Sequence, residues 1–293
     1  MSKQPLISII LPVYNSSAHL KQALNSILNQ SYSNWELIAI NDASTDHSQN
    51  ILKSYAQKSP KIKIFSHTTN QGIARSLNKA LKHAQGQYIA RMDSDDIMLP
   101  NRLQKQLKYL LKHPQTIVVG GQCQLIDTQD KLIGKKTFPT NHQQIYQLAF
   151  IRSPLQHPAI MINTALLPKN FSWYHTDQVP AEDLDLYFRL FQYGKAANLS
   201  DTVIKYRQNP QGLSLKDPLH TYLTAYKIRQ NARKQYNYQP TFSTKIINKL
   251  ISLAILVFPK NTIYPLYSLI SGFTFPHIKL PNLKTNLQLA KQG

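Results

Sequence analysis

Regular alternation of strand-like and helix-like segments constrains the fold of this chain more than any other feature. Short apolar runs at 7–13, 35–40, 62–66 and 88–92 predict strands, and the stretches between them carry apolar residues at helical spacing. Such alternation is typical of a mostly parallel sheet with helices on both faces. We therefore expect an α/β fold whose ligand sites lie at the carboxyl ends of its strands.

Polar side chains follow three of the four predicted strands. Tyr14 and Asn15 follow the first strand, Asp42 follows the second, and the acidic segment 93–96 follows the fourth. Because parallel strands end at the same edge of a sheet, these side chains are expected to lie near one another. The sequence thus predicts one polar site at this edge.

The acidic segment is the strongest local signal in the chain. Asp93, Asp95 and Asp96 place three carboxylates within four residues, and such groups repel one another unless a cation or basic groups offset them. Mg²⁺ and Mn²⁺ prefer oxygen ligands and bridge readily to phosphates. Taken alone, the segment also fits a solvated turn that caps a helix. Its position after a buried strand favours a metal site.

The other candidate carboxylates have equally ordinary interpretations. Asp42 fits a ligand contact at a strand end, but it also fits a helix N-cap, and propensity does not separate it from Asp46. Glu182 and Asp183 open a predicted helix, where the helix dipole favours acids for structural reasons alone. The functional alternative is that one of them acts as a general base.

Cysteine content and the N-terminal residues both point to a reducing compartment. Cys123 is the only cysteine, which excludes an internal disulfide and a cysteine-based zinc site. The first apolar run is too short for a secretory signal and no small-residue cleavage site follows it, so we interpret it as a strand. We expect a cytoplasmic protein.

The last part of the chain is basic and apolar at once. Residues 216–293 carry 11 Lys and Arg but one acid, Asp217, so they hold half of the formal net charge of +20. Apolar stretches at 246–258 and 262–275 are shorter than the ~20 residues of a spanning helix. Cationic flanks and aromatic residues predict a helix pair on an anionic membrane surface, and two ordinary helices packed on the domain are the alternative. No zinc-finger spacing or paired aromatic motif supports nucleic-acid binding.

Several short motifs occur in a fixed order along residues 5–210. They are ISIILPVYN at 7–15, NDASTD at 41–46, NQGIARSLNKAL at 70–81, YIARMDSDD at 88–96, LPNRL at 99–103, AEDLDLYFRL at 181–190 and KYR at 205–207. Together they resemble the family 2 glycosyltransferases of bacterial surface polysaccharides, which are inverting enzymes with the GT-A fold. Each motif alone is weak, but their shared order and spacing are specific.

The resemblance implies an architecture and a reaction. Residues 1–215 would form the GT-A domain. Beyond the resemblance, the charge and the apolar stretches of residues 216–293 predict a helical, membrane-associated tail on the inner face of the cell membrane. The enzyme would use Mn²⁺ or Mg²⁺ to move a sugar from a nucleotide-sugar, with uracil as the usual base, to a lipid-linked or glycan acceptor. These acceptors belong to cell-surface polysaccharide synthesis.

The resemblance also implies roles on the donor side of the site. Pro12, Tyr14 and Asn15 would border the nucleotide. Asp42 would hydrogen-bond the base, and Asp93 would lie near the ribose and the diphosphate.

The remaining roles fall on the metal, the sugar and the acceptor. Asp95 would bind the metal and Asp96 would support the sugar. Asp183 would be the catalytic base, and Glu182 would shape the acceptor site. One departure concerns the metal, because some relatives place a histidine shortly after the Tyr-Arg pair, whereas Gln-Asn-Pro follows here at 208–210.

Other protein classes fit the sequence less well. Phosphatases with an aspartate nucleophile carry Thr or Val at the fifth motif position of the first strand, but Ile97 holds that position here and the motif follows the fourth strand. A nicotinamide dehydrogenase is disfavoured because no GxGxxG follows the first strand. The remaining alternative is a non-catalytic, basic membrane-binding module, which leaves the acidic segment unexplained.

Overall fold

A mixed sheet organises the fold in the computed structural model, which describes residues 4–208, 217–257 and 273–274. The strands found there are β1 (Ile7–Val13), β2 (Trp35–Asn41), β3 (Ile62–Ser66), β4 (Tyr88–Arg91), β5 (Ile97–Met98), β6 (Thr116–Ile126), β7 (Leu132–Lys136), β8 (Met161–Asn163), β9 (Lys195–Arg207) and β10 (Phe273–Thr274). The helices are α1 (Leu20–Leu28), α2 (Ser48–Lys58), α3 (Ile73–His83), α4 (Arg102–Lys112), α5 (His142–Ala149), α6 (Glu182–Leu190), α7 (Pro218–Gln235) and α8 (Phe242–Val257). The strand order from one edge is β3-β2-β1-β4-β8-β6-β7-β10, and β9 joins β6 to β5.

The first half of the chain forms the predicted parallel sheet. Strands β3, β2, β1 and β4 are parallel neighbours. Helices α1, α2 and α4 cover one face, and α3, α6 and α7 cover the other. Strands β1 and β2 are therefore buried almost throughout, which explains why they are continuous apolar runs in the sequence.

The second half extends the sheet with antiparallel strands and one long return. Strand β8 is antiparallel to β4, and β6 is antiparallel to β8. Strand β9 then runs parallel to β6, and its end pairs with β5, with Ile97 opposite Lys205. This return places the end of β9 beside the acidic segment.

A glycine pair explains one difference from the sequence prediction. The pattern predicts two short strands, at 117–121 and 124–126, but the structure has the single strand β6. A Cβ on Gly120 would lie 2.3 Å from Asn198 Oδ1, and a Cβ on Gly121 would lie 2.7 Å from the Val203 side chain. Both glycines let β9 approach β6 closely, so they do not break the strand.

The two helices near the end of the described chain differ in their contacts. Helix α7 packs on the domain through buried Ile228 and Ala232, and Arg229 donates to the main-chain oxygens of Ala149 and Ile151. In α8 most of the large apolar side chains whose exposure is described face away from the domain. Those at least 41% exposed are Phe242, Ile246, Ile247, Leu250 and Leu253.

The boundary between a domain of residues 1–215 and a tail of 216–293 stays a prediction. The second apolar stretch, 262–275, lies outside the described residues except for Phe273 and Thr274. Within the described part of the chain, every helix is too short or too polar to cross a bilayer.

Candidate active site

The carboxyl ends of β1 and β2 are joined by hydrogen bonds between the loops that follow them. The main-chain N–H of Asp42 donates to Val13 oxygen at 2.8 Å, which continues the pairing of the two strands. Asn15, in a left-handed conformation with φ +46°, accepts the N–H of Thr45 on its side-chain oxygen at 2.8 Å. Tyr14 beside it is 50% exposed. These loops thus form a fixed wall with one aromatic ring open to solvent, next to Pro12.

The structure separates the two aspartates that the sequence left equivalent. Both carboxylate oxygens of buried Asp42 accept main-chain N–H groups, from Gln71 and Gly72, at 2.8 Å each. Asp46 is bound by the N–H groups of Ser17 and Ser48 at 2.8 and 2.9 Å. Asp46 therefore binds the start of α2, whereas Asp42 ties β2 to the loop before α3.

The pKa of Asp46 agrees with this structural role. Burial alone would raise the pKa, but the hydrogen bonds from Ser48 and Ser17 outweigh burial and lower it to about 2. Asp46 thus binds the start of α2 from one residue before its N-cap, His47, while Asp42 lies at the end of β2.

The three carboxylates of the acidic segment converge. One oxygen from each of Asp93, Asp95 and Asp96 lies within 4.8 Å of the others. Asp96 is fully buried; its Oδ1 accepts the N–H of Arg207 at 2.7 Å, and its Oδ2 has no hydrogen-bond partner among the described residues. Asp93 forms an ion pair with the guanidinium of buried Arg91.

The electrostatics of this cluster favour a bound cation. Burial raises the pKa of Asp95 to about 6, and the charge of Asp93 adds to the rise. Burial, followed by the charges of Asp95 and Asp93, raises the pKa of Asp96 well above its usual range. A divalent cation would offset this repulsion and bind the unpaired oxygen of Asp96, so the residues present fit Mg²⁺ or Mn²⁺.

Two serines, which sequence reasoning missed, connect the cluster to the wall formed by the loops after β1 and β2. The hydroxyls of Ser16 and Ser94 lie 2.6 Å apart, and the N–H of Ser16 donates to the Ser48 hydroxyl at 2.9 Å. Only their positions next to Asn15 and Asp93 could have drawn attention to them. They hold the loops after β1, β2 and β4 together.

A second group of acidic residues, Glu182 and Asp183, begins helix α6. Asp183 is half-buried; its Oδ2 accepts the Ser153 hydroxyl at 2.9 Å and its Oδ1 accepts the Leu184 N–H at 2.7 Å. Burial raises the pKa of Asp183, although the bond from Ser153 opposes the rise. Burial and the charge of Asp183 raise the pKa of Glu182 to about 7, and one oxygen of Glu182 is buried without a hydrogen-bond partner among the described residues.

Arg91 connects these two acidic regions electrostatically. Its pKa is raised because the nearby charge of Asp93 outweighs the effect of burial, and Asp96 contributes in the same direction. Its charge also opposes the rise in the pKa of both Glu182 and Asp183. The buried guanidinium of Arg91, which sequence reasoning did not single out, therefore contributes positive charge to both acidic regions.

The family model for glycosyl transferase family 2 matches residues 8–167. This chain belongs to that family. The matched residues run from β1 through β8 and include the acidic cluster. The resemblance carried by the short motifs is thus confirmed, and the chain is an enzyme of the glycosyltransferase class. Family membership favours this over a non-catalytic binding module.

Relatives with known names share most of the chain. EpsE of Bacillus subtilis (strain 168), assigned as a glycosyltransferase, is 34% identical over 238 residues, covering 80% of this chain and 84% of EpsE. The O-antigen biosynthesis glycosyltransferase WbnJ of Escherichia coli is 29% identical over 234 residues, covering 78% of this chain and 90% of WbnJ.

Solved structures show the same fold. S. aureus TarS residues 1–349, in complex with UDP, superposes with a TM-score of 0.64 at 19% identity, covering 97% of this chain and 77% of that one. The mannosyltransferase PcManGT from Pyrobaculum calidifontis, in complex with GDP-Man and Mn²⁺, gives a TM-score of 0.58 at 18% identity, covering 92% and 85%. At these identities the likeness concerns the fold, and it confirms the expected GT-A architecture.

Proposed function

We propose that this glycosyltransferase moves a sugar from a UDP-linked donor to a lipid-linked or glycan acceptor, with Mn²⁺ or Mg²⁺ at the acidic cluster and with inversion at the anomeric carbon. The observation that carries the proposal is the convergence of three carboxylates within 4.8 Å, with one buried oxygen of Asp96 unpaired among the described residues. TarS residues 1–349 have also been solved with UDP-GlcNAc, and this ligand and the GDP-Man of PcManGT support a nucleotide-sugar donor. The O-antigen role in the name of WbnJ supports synthesis of a surface polysaccharide.

The proposed donor site uses the wall formed by the first two loops. Pro12, Tyr14 and Asn15 border the nucleotide, and the exposed ring of Tyr14 offers a stacking surface. Asp42 binds the base through the remaining lone pairs of its carboxylate. Asp93, the first member of the cluster, lies at the ribose and the diphosphate.

The proposed metal site consists of the acidic cluster itself. Asp95 is the main protein ligand, and Asp96 supports the sugar side. These carboxylates would hold a divalent cation, which would supply positive charge to stabilise the leaving diphosphate. Arg91 and the N–H of Arg207 keep the cluster in place through Asp93 and Asp96.

The proposed chemistry is one direct displacement. The Asp183 carboxylate takes the proton of the acceptor hydroxyl as that oxygen forms a bond to the anomeric carbon. The bond from the anomeric carbon to the diphosphate oxygen breaks on the opposite face, so a nucleoside diphosphate leaves and the configuration inverts. Ser153 orients the base by its hydrogen bond, and Glu182 lines the acceptor side.

The function is tested by nucleotide release from UDP-, GDP- and dTDP-sugars, with Mn²⁺ or with EDTA and with candidate acceptors. The proposal expects slow, metal-dependent turnover of a UDP-sugar that is lost in Asp95→Asn. Equal turnover in EDTA would contradict the metal assignment, and a preference for another base would contradict the UDP assignment.

We also propose that α8 docks on the inner, anionic leaflet of the cell membrane, where lipid-linked acceptors are presented. Phe242, Ile246, Leu250 and Leu253 recur at helical spacing and are 46–79% exposed. Exposed lysines flank this stripe, and residues 216–293 hold half of the net charge. Apolar insertion and attraction of lysines to acidic lipid act together in such helices.

Vesicle sedimentation tests the docking of α8. Each Leu or Ile removed from water contributes about 1.5–3 kcal/mol when fully buried, so Ile246→Ser with Leu250→Ser should weaken binding to phosphatidylglycerol vesicles at least tenfold. Leu111→Ser is the matched control, because Leu111 is 56% exposed on α4 whereas Leu250 is 61% exposed. Unchanged sedimentation of the double variant would contradict the proposal.

A further inference from the structure

The end of β9 holds the acidic segment through one buried arginine. Arg207 is the last residue of β9, and its side chain is 1% exposed. Its main-chain N–H donates to Asp96 Oδ1 at 2.7 Å, and its Nε donates to the main-chain oxygen of Asp95 at 2.7 Å. Two consecutive residues of the acidic segment are therefore fixed by a single residue that is 111 and 112 positions away in the sequence.

The outer end of the same guanidinium is anchored as well. Its Nη1 donates to the main-chain oxygen of Asp127 at 2.7 Å, in the turn between β6 and β7. Its Nη2 donates to Gln22 Oε1 at 3.0 Å and to Asp130 Oδ1 at 2.6 Å. One side chain thus joins the acidic segment to α1 and to the 127–130 turn.

The way Arg207 contacts Asp95 matters for ligand binding. Its guanidinium binds the carbonyl of Asp95, whereas Arg91 pairs directly with the carboxylate of Asp93. Arg207 therefore brings a positive charge near the cluster while the carboxylate of Asp95 keeps its oxygens for another ligand. A lysine has a single nitrogen and lacks the planar fork, so it would not span acceptors on three sides.

We propose that Arg207 is the positioning residue that fixes Asp95 and Asp96 for a divalent cation, with Gln22 and the 127–130 turn as its outer anchor. This inference rests on the proposed metal site. Arg207 touches neither the substrate nor the cation in this role. It sets the geometry of the carboxylates, so its loss weakens cation binding in folded protein.

The test measures Mn²⁺ affinity in the presence of UDP, by the electron paramagnetic resonance signal of free Mn²⁺. Arg207→Lys should weaken Mn²⁺ binding at least tenfold at a temperature well below its melting point. Asp201→Asn is the matched control, because the exposed Lys105–Asp201 ion pair also tethers β9 but lies away from the cluster. The control should bind Mn²⁺ as the wild type does.

A second variant tests the role of Arg207 independently, in case Arg207→Lys does not fold. Gln22→Ala combined with Asp130→Asn removes the outer anchor but retains Arg207, and it should weaken Mn²⁺ binding by about two- to fivefold. Wild-type affinity in folded Arg207→Lys, or in the outer-anchor variant, would overturn the inference. If the wild type itself binds no Mn²⁺, the proposed metal site fails, which is a separate and recognisable outcome.

Discussion

The acidic cluster and the start of α6 both present buried carboxylates, but their surroundings differ. In the cluster, Asp95 and Asp96 have raised pKa values because burial and neighbouring carboxylates act together. At α6, Asp183 has a raised pKa mainly through burial, and one hydroxyl hydrogen bond opposes the rise. Mutual repulsion of three acids calls for a cation, whereas one oriented acid with a raised pKa suits proton transfer.

We expect the largest effect, a fall in kcat, when the proposed base at the start of α6 is replaced. Asp183→Asn removes the proposed base and keeps the shape of the side chain, so kcat should fall by about 10²–10⁴-fold. Affinity for UDP with Mn²⁺ should stay within about twofold, because Asp183 does not hold the donor. Steady-state kinetics and calorimetric titration of UDP measure the two quantities. A large loss of UDP affinity would mean that the two acidic regions do not have separate tasks.

The next effect tests repulsion within the cluster. The pKa of Asp95 is raised to about 6, so the folded state favours the protonated carboxyl. The contribution of Asp95 to the stability of the fold is therefore present at low pH and is lost as pH rises through about 6. Asp95→Asn should therefore raise the melting temperature of metal-free protein at pH 8 by several degrees, and should change it little near pH 4. An unchanged melting temperature at pH 8 would contradict the repulsion.

The same measurement with Glu182 distinguishes the two regions. The pKa of Glu182 is raised to about 7, so its contribution to stability falls as pH rises through about 7. Glu182→Gln should raise the melting temperature at pH 8.5. Mn²⁺ with UDP should remove the advantage of Asp95→Asn over the wild type and leave that of Glu182→Gln. Loss of both advantages on adding Mn²⁺ would place the cation nearer α6 than we propose.

The smallest effect concerns the orientation of the base. The Ser153 hydroxyl lowers the pKa of Asp183, so Ser153→Ala should move the acid limb of the kcat profile to higher pH. Activity needs the carboxylate form and is lost as pH falls through its pKa. Ser54→Ala, on α2, is a control for loss of a serine hydroxyl. An acid limb at the same pH in Ser153→Ala and the wild type would contradict the effect of Ser153 on the pKa of Asp183.

The sequence predicts the part of the site that depends on local pattern. The ends of β1, β2 and β4 are marked by apolar runs, and these ends place Asn15, Asp42 and the 93–96 segment at one edge of the sheet. Parallel pairing of neighbouring strands then follows from the alternation of strands and helices. Asp42 and Asp46 could not be separated because the donors to Asp42 lie about thirty residues away, at Gln71 and Gly72.

Contacts between residues far apart in the sequence could not be predicted from local sequence patterns. Strand β9 pairs with β6 across a close approach that Gly120 and Gly121 allow, and the sequence shows only the glycines. The link from Arg207 to Asp96 spans 111 residues. The family resemblance included the KYR motif at 205–207, but the motif alone did not show that Arg207 contacts Asp95 and Asp96. Only the folded structure shows these contacts.

The most direct test of the central claim is calorimetric titration of UDP into the wild type and Asp95→Asn, each with Mn²⁺ and with EDTA. Mn²⁺ should tighten UDP binding to the wild type at least tenfold, and this gain should disappear in Asp95→Asn. Equal affinity of the wild type in Mn²⁺ and EDTA, or a full gain from Mn²⁺ in Asp95→Asn, would contradict the assignment of the acidic cluster as the cation site.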